Sequence, residues 1–219
     1  MSGDNPFAQW YSEQNPISAS IYGALPLGQS TPVPYNLLSG STSPNVTAVG
    51  NAQLQIMSFQ FMSAMKTILN STVMGANGKK YFTIATHAVG NTIIINDQAG
   101  NGTGEAAGTI EWQQRPYVAL LDMVARQAAS QWLTLSADKR YRTMMVRGQQ
   151  YSWVPSAGMI CLYTAGNNPS EFVARISKGR DAASGAMLSL DVTTKAVQGG
   201  LLDACILAAL LFNSGRNFD

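Results

Sequence analysis

The chain has 219 residues, of which 46% are hydrophobic and only 12% charged, with a formal net charge of +2. The length allows one large or two small domains, and the low charged share leaves solubility mostly to neutral polar residues. Residues 1–55 carry only Asp4 and Glu13, so 56–219 hold all 14 basic residues against 12 − 2 = 10 acidic ones; an excess of +4 falls short of a nucleic-acid footprint, and no nucleic-acid partner is expected.

The N-terminus, "MSGDNPFAQWYSEQ", has neither a basic n-region nor an apolar h-region, so it does not read as a secretory signal. The expected location is cytoplasmic, with peripheral membrane contact left open. Without export, the sequons at Asn45, Asn70 and Asn101 read as chance matches. Residues 1–50 contain Pro6, Pro16, Pro26, Pro32, Pro34 and Pro44 among Ser, Asn, Gln and Gly. Proline removes ladder donors and breaks helices, which predicts a flexible or loosely docked arm. Its Phe7, Trp10, Tyr11 and Tyr35 could dock it on a protein partner or on the domain, which is taken as 51–219.

From about Ser58 the pattern becomes that of strands. "KKYFTIATHA" (79–88), "NTIIIND" (91–97) and "GTIEWQQ" (108–114) are rich in β-formers, and Asn77-Gly78 and Gly90-Asn91 are turn dipeptides. A meander of about four strands is expected over 58–114. The middle of 116–136, "DMVARQAASQWL", predicts a short helix. Beyond it Arg142, Met144 and Val146 alternate with Thr143, Met145 and Arg147, and Tyr151 and Trp153 share a strand face. Val154-Pro155 is expected to end that strand. "GMICLYTA", "EFVARIS" and "AMLSLDVTT" add three more, giving eight to eleven strands. The two cysteines, Cys161 and Cys205, lie in apolar contexts and read as free buried thiols.

The last element is "GGLLDACILAALLFNSG" (199–215). A twelve-residue helix from Leu201 spans about 18 Å, against roughly 30 Å of hydrocarbon. A helix of that length, apolar all round, belongs inside a protein. Asp203 falls in its first turn, where the helix dipole favours a carboxylate.

The segments "ILNSTVMGANGKKYFTIAT" (68–86), "TIEW" (109–112), "MVRGQQYSWVP" (145–155), "LYTA", "FVARIS" and "GGLLDACILAALLFNSGR" occur in an order that resembles the tubby-like domains of basidiomycete fungi, relatives of tubby and of phospholipid-scramblase-like proteins. The resemblance covers roughly 59–217. It implies a mostly β fold: a closed antiparallel β-barrel threaded by its hydrophobic C-terminal helix, with a short extra helix. It does not by itself imply a ligand.

Catalytic and metal chemistry find little support. There is one histidine, His87, at an expected strand end, and one His with two distant Cys assembles no zinc cluster. The glycine pattern "GTGEAAG" (102–108) lacks the helix that a dinucleotide fingerprint needs and reads as a hairpin loop. Glu111 beside Trp112 reads as a strand residue facing solvent or a nearby Arg. No catalytic residue, metal or cofactor is expected. What remains are Lys79 and Lys80, then Lys139, Arg140 and Arg142, then Lys178 and Arg180. Such residues are commonly a solvated face. By analogy with tubby, which binds phosphoinositides through Lys and Arg on its barrel, they become candidate contacts for an anionic head group. The leading expectation is a non-enzymatic, intracellular binding module for anionic lipid at a membrane surface. The alternatives are a protein-interaction scaffold without a lipid ligand, and an enzyme with an unrecognised site.

Overall fold

The computed structural model describes residues 54–87, 90–98, 104–166, 170–179 and 185–219. The proposed arm, Arg180, and the sequons at Asn45 and Asn101 lie outside these residues. Thirteen strands are described: β1 Ile56–Met62, β2 Ser71–Met74, β3 Lys80–Thr86, β4 Asn91–Asn96, β5 Glu105–Glu111, β6 Tyr117–Leu120, β7 Val124–Ala128, β8 Thr134–Leu135, β9 Arg142–Val146, β10 Gln149–Ser156, β11 Met159–Thr164, β12 Phe172–Lys178 and β13 Ala186–Thr193. Three helices accompany them: α1 Ala129–Trp132, α2 Thr194–Gln198 and α3 Leu202–Asn213. The strands form one antiparallel sheet in the order β7-β6-β5-β4-β3-β2-β1-β13-β12-β11-β10-β9-β8.

Chain neighbours are ladder neighbours except at β7 and β8, and one ladder, β13–β1, pairs strands that are not chain neighbours. The β13–β1 ladder joins the two ends of the strand region, with Ile56 opposite Thr193 and Phe59 opposite Leu190. Between β7 and β8 stands α1, which contacts β6, β7, β8 and β9. The expected meander over 58–114 is present with one more strand than predicted, because the four-residue β2 pairs with both β1 and β3. The segment expected as a helix divides: "VARQA" is strand β7, and only Ala129–Trp132 is helical. The good helix formers of 125–128 are overridden by ladder pairing, Val118 with Gln127 and Tyr117 with Ala128. Pro155 does not end its strand. It pairs with Ile160 on the β11 side, and the β9 ladder has already stopped at Trp153–Arg142, so no partner is deprived of a donor.

One face of the sheet is apolar. Phe59, Phe61, Val73, Phe82, Ile84, Ile94, Ile110, Met144, Trp153, Leu162, Ile176 and Leu190 alternate with polar or half-exposed residues and form one core with α3. Every residue of α3 from Leu202 to Phe212 is buried except Asp203, which is partly covered. The helix touches both β13 and β5, which are five ladder steps apart, so the sheet curves about it. Trp153 meets Phe212 edge-on at 5.6 Å between centroids. Gly108 shows how tight the inner layer is, since a Cβ there would lie 2.6 Å from Leu120 Cδ2.

Asp203 departs from the expectation that the helix dipole makes its charge favourable. Burial pushes its carboxyl above the usual range, and Arg147 opposes this only in part. A carboxyl whose pKa is higher in the folded than in the unfolded state favours folding least when both are ionised. Stability is therefore lost as pH rises from the ordinary carboxylate value through the raised one. Asp203→Asn should raise the thermal midpoint at neutral pH, and the gain should vanish in acid below the ordinary value. An unchanged or lowered midpoint at neutral pH would show that the charge is satisfied where it sits.

Candidate functional site

Antiparallel neighbours place successive hairpin loops at alternate ends of the sheet. One end, here called proximal, is where β13 delivers the chain through α2 into α3. The other, distal end is where α3 stops, since Arg216 stacks on Trp112 after β5 and Asp219 pairs with Arg142 at the start of β9.

This alternation separates the basic residues singled out in the sequence. Lys79 and Lys80 lie proximally, between β2 and β3. Lys80 pairs with Asp97 at 3.3 Å, and the Lys79 ammonium stands 5.4 Å from the Tyr81 ring centroid. Lys139 and Arg140 lie distally, between β8 and β9, and Lys178 lies distally at the end of β12. The six of these residues that are described therefore do not form one patch.

Arg142 does not reach the surface at all. It follows the inward alternation with Met144 and Val146, and its side chain has no exposure. Its guanidinium donates to the Leu133 carbonyl at 2.8 Å and to both Asp219 carboxylate oxygens at 2.7 Å, and it covers the Phe218 ring at 4.6 Å. It is a structural clasp rather than a head-group contact.

The distal rim carries cations that sequence reading passed over. Lys66 lies between β1 and β2, Arg115 between β5 and β6, and Arg216 just after α3. Arg216 sits 4.7 Å from the centroid of Trp112, whose indole N–H donates to the Thr92 hydroxyl at 2.8 Å. With Lys139, Arg140 and Lys178 they make six exposed distal cations among the described residues. Set against them is Asp138, 3.8 Å from Arg140. Its carboxyl is held below the usual range by the Ser136 hydroxyl and the Arg140 backbone N–H. The other distal carboxylates among the described residues are engaged elsewhere: Asp219 by Arg142, and Glu111 by Arg126 through two hydrogen bonds of 2.9 and 2.6 Å. The proximal end is the reverse. Lys79, Lys80, Arg147 and Lys195 face Asp97, Glu105, Asp122, Glu171 and Asp203. Charge is thus segregated along the α3 axis.

The distal end also bears a shallow cleft of about 560 Å³ lined by Gln113, Gln114, Arg115, Tyr117 and Asp219. Its one carboxylate, Asp219, is engaged by Arg142, and the remaining amide, guanidinium and phenol groups supply donors that can meet a phosphate or carboxylate. His87 is exposed on the same rim after β3, as expected for a strand end. Both cysteines are free and buried, and burial pushes both thiols up, so neither is poised as a nucleophile. No cluster of three potential metal ligands occurs among the described residues. Gly104 leads directly into β5, which begins at Glu105, and Gly108 lies within that strand, so no helix N-terminus follows them. No helix among the described residues is long and apolar enough to cross a membrane.

Among known proteins, residues 66–217 match a family of unknown function, DUF6593. No curated protein and no solved structure matches the chain.

Proposed function

We propose, for a chain that belongs to the DUF6593 family, that it is a closed β-barrel docking by its distal end on an anionic membrane surface. Strand direction bears on the closure. Thirteen strands cannot alternate direction all the way round a ring, so the pair at the closing seam must run parallel. A parallel pair needs a connection of a dozen or more residues, and only 129–133 separate β7 from β8. Helix α1 fills that position in place of a ladder: Trp132 is buried there, and α1 touches strands on both sides. The resemblance to tubby-like domains points to the same barrel around α3.

The observation that carries the functional reading is the axial segregation of charge. Lys66, Arg115, Lys139 and Lys178 form no ion pair among the described residues. Near an anionic leaflet each well-placed Lys or Arg contributes about 1 kcal/mol. A net rim charge near five among the described residues therefore supports weak, reversible association with a Kd on the order of 0.1 mM, steeply dependent on salt. Spread evenly over the surface, the same charge would contribute little.

Vesicle sedimentation tests the reading. The protein should bind phosphatidylcholine vesicles containing phosphatidylserine or a phosphoinositide, release them as salt rises to physiological strength, and ignore pure phosphatidylcholine. Charge reversal at Lys66, Lys139 and Lys178 together should abolish binding, while Lys79→Ala with Lys80→Ala should leave it unchanged. Equal binding to neutral vesicles, no binding to any, or an equal loss in the proximal variant would remove the lipid reading and leave the interaction scaffold. Tighter binding to duplex nucleic acid than to anionic vesicles would assign the rim to that partner instead.

A further inference from the structure

The β1–β2 loop, residues 63–70, stands on the distal rim and carries the most exposed large apolar side chain described, Met65, at 77% exposure. A single exposed methionine is unremarkable by itself. This one is held out by a loop that is otherwise tied down. The Ser63 hydroxyl donates to the Asn70 carbonyl at 2.7 Å and accepts from the Met65 N–H at 3.2 Å. The Thr67 hydroxyl accepts from the Leu69 N–H, and the Ser71 hydroxyl donates to the Ile68 carbonyl at 2.7 Å. Ile68 and Leu69 turn inward and are 4% and 6% exposed. Lys66 takes a left-handed backbone, φ 52°, an uncommon conformation for a side-chain-bearing residue, which marks the tip of the turn. The loop thus buries two apolar residues and presents Met65 beside a lysine.

The same pairing recurs between β8 and β9. Tyr141 is 38% exposed directly after Lys139 and Arg140. Ser136 fixes that loop, its hydroxyl donating to Asp138 Oδ1 at 2.6 Å and accepting from the Arg140 N–H at 3.1 Å. An aromatic or flexible apolar tip beside a cation suits the boundary of a bilayer, where the ammonium meets lipid phosphate and the apolar group enters the acyl region.

We propose that Met65 inserts into the membrane when the distal rim docks, with Tyr141 lying at head-group level, so that the α3 axis stands toward the bilayer and the proximal end faces water. The proposal rests on the membrane reading above and adds an orientation and an apolar anchor to it. Charge complementarity selects the occupant: Lys66 beside Met65 and the other cations at the same end of the sheet favour an anionic lipid leaflet over an apolar protein groove.

The test places an environment-sensitive fluorophore on Met65→Cys and, in a separate protein, on Leu121→Cys. Leu121 is 57% exposed in the β6–β7 loop at the proximal end. Both native cysteines are buried, so labelling goes to the introduced thiol. With phosphatidylcholine–phosphatidylserine vesicles, the probe at 65 should shift to the blue and be quenched by lipids brominated on the acyl chain, while the probe at 121 should do neither. Unlabelled Met65→Gln should bind the same vesicles about tenfold more weakly, as expected for part of a methionine's transfer energy. Full sedimentation with the probe at 65 still in water, or with Met65→Gln binding like the parent, would overturn the insertion and leave electrostatic docking intact. Failure to sediment at all would overturn both. A blue shift at 121 but not at 65 would reverse the orientation.

Discussion

Leu207→Asp should leave no cooperatively folded protein. Leu207 lies in the middle of α3 with no exposed surface, flanked by Ile206 and Ala208, which are equally buried. The substitution removes about 1.5–3 kcal/mol of apolar burial. It also introduces a carboxylate whose desolvation costs several kcal/mol more. Domains of this size are stable by about 5–15 kcal/mol, so the combined cost takes most or all of the margin. Leu207→Ala provides the scale: about 3–5 kcal/mol, a lowered midpoint, and a fold that survives. Removing 201–219 should abolish soluble expression, because the apolar inner faces of the strands would lose the element they enclose. The measurement is thermal unfolding followed by circular dichroism. A sharp transition for Leu207→Asp within a few degrees of the parent would mean that α3 is not the interior of this protein.

The helix and most strands could be read from the sequence because their burial is uniform along a face. Alternation in "KYFTIAT" and "SFQFM" marks inward Phe82 and Ile84, and inward Phe59 and Phe61. The unbroken apolar run of α3 admits only an enclosed helix. Two features were harder. Strand β2, "STVM", is too short for its pattern to stand out, and missing one strand reverses the end assigned to every later loop. That parity, more than any motif, hid the distal rim: Lys66, Arg115 and Arg216 are far apart in sequence and gather only when loops are assigned to ends. The other obscured feature was β7, where Ala-Arg-Gln-Ala favours a helix. Its Arg126 pairs with Glu111 and covers Tyr117 at 4.2 Å, contacts with no local signature. The alternation of Arg142 with Met144 and Val146, by contrast, was visible and already placed a cation on the apolar face. Charge alone suggested the surface; periodicity was the better guide.

Arg142→Ala should destabilise the fold by about 3–5 kcal/mol, the range for removing one partner of a buried ion pair. In a domain of this length, roughly 2–4 °C accompanies each kcal/mol, so the midpoint should fall by about 10 °C. Three losses combine. The Leu133 carbonyl, just after α1, loses its guanidinium donor; Phe218 loses the plane that covers it; and the Asp219 carboxylate loses its partner. The two sides of the pair are not equivalent, because the Arg142 side chain has no exposure whereas that of Asp219 retains 35%. Asp219→Asn can keep a hydrogen bond to the guanidinium and reach solvent, and should cost much less than Arg142→Ala. Arg142→Lys should behave nearly like the alanine variant, since an ammonium cannot serve Leu133 and both Asp219 oxygens from one planar fork. The clasp joins β9 and the residue after α1 to the segment following α3. Its loss should therefore loosen the connection from β7 through α1 to β8 first, detectable as faster amide exchange in 129–135 than in β13. Equal midpoints for Arg142→Ala and the parent, or protection lost uniformly across the sheet, would show that this connection does not depend on the contact.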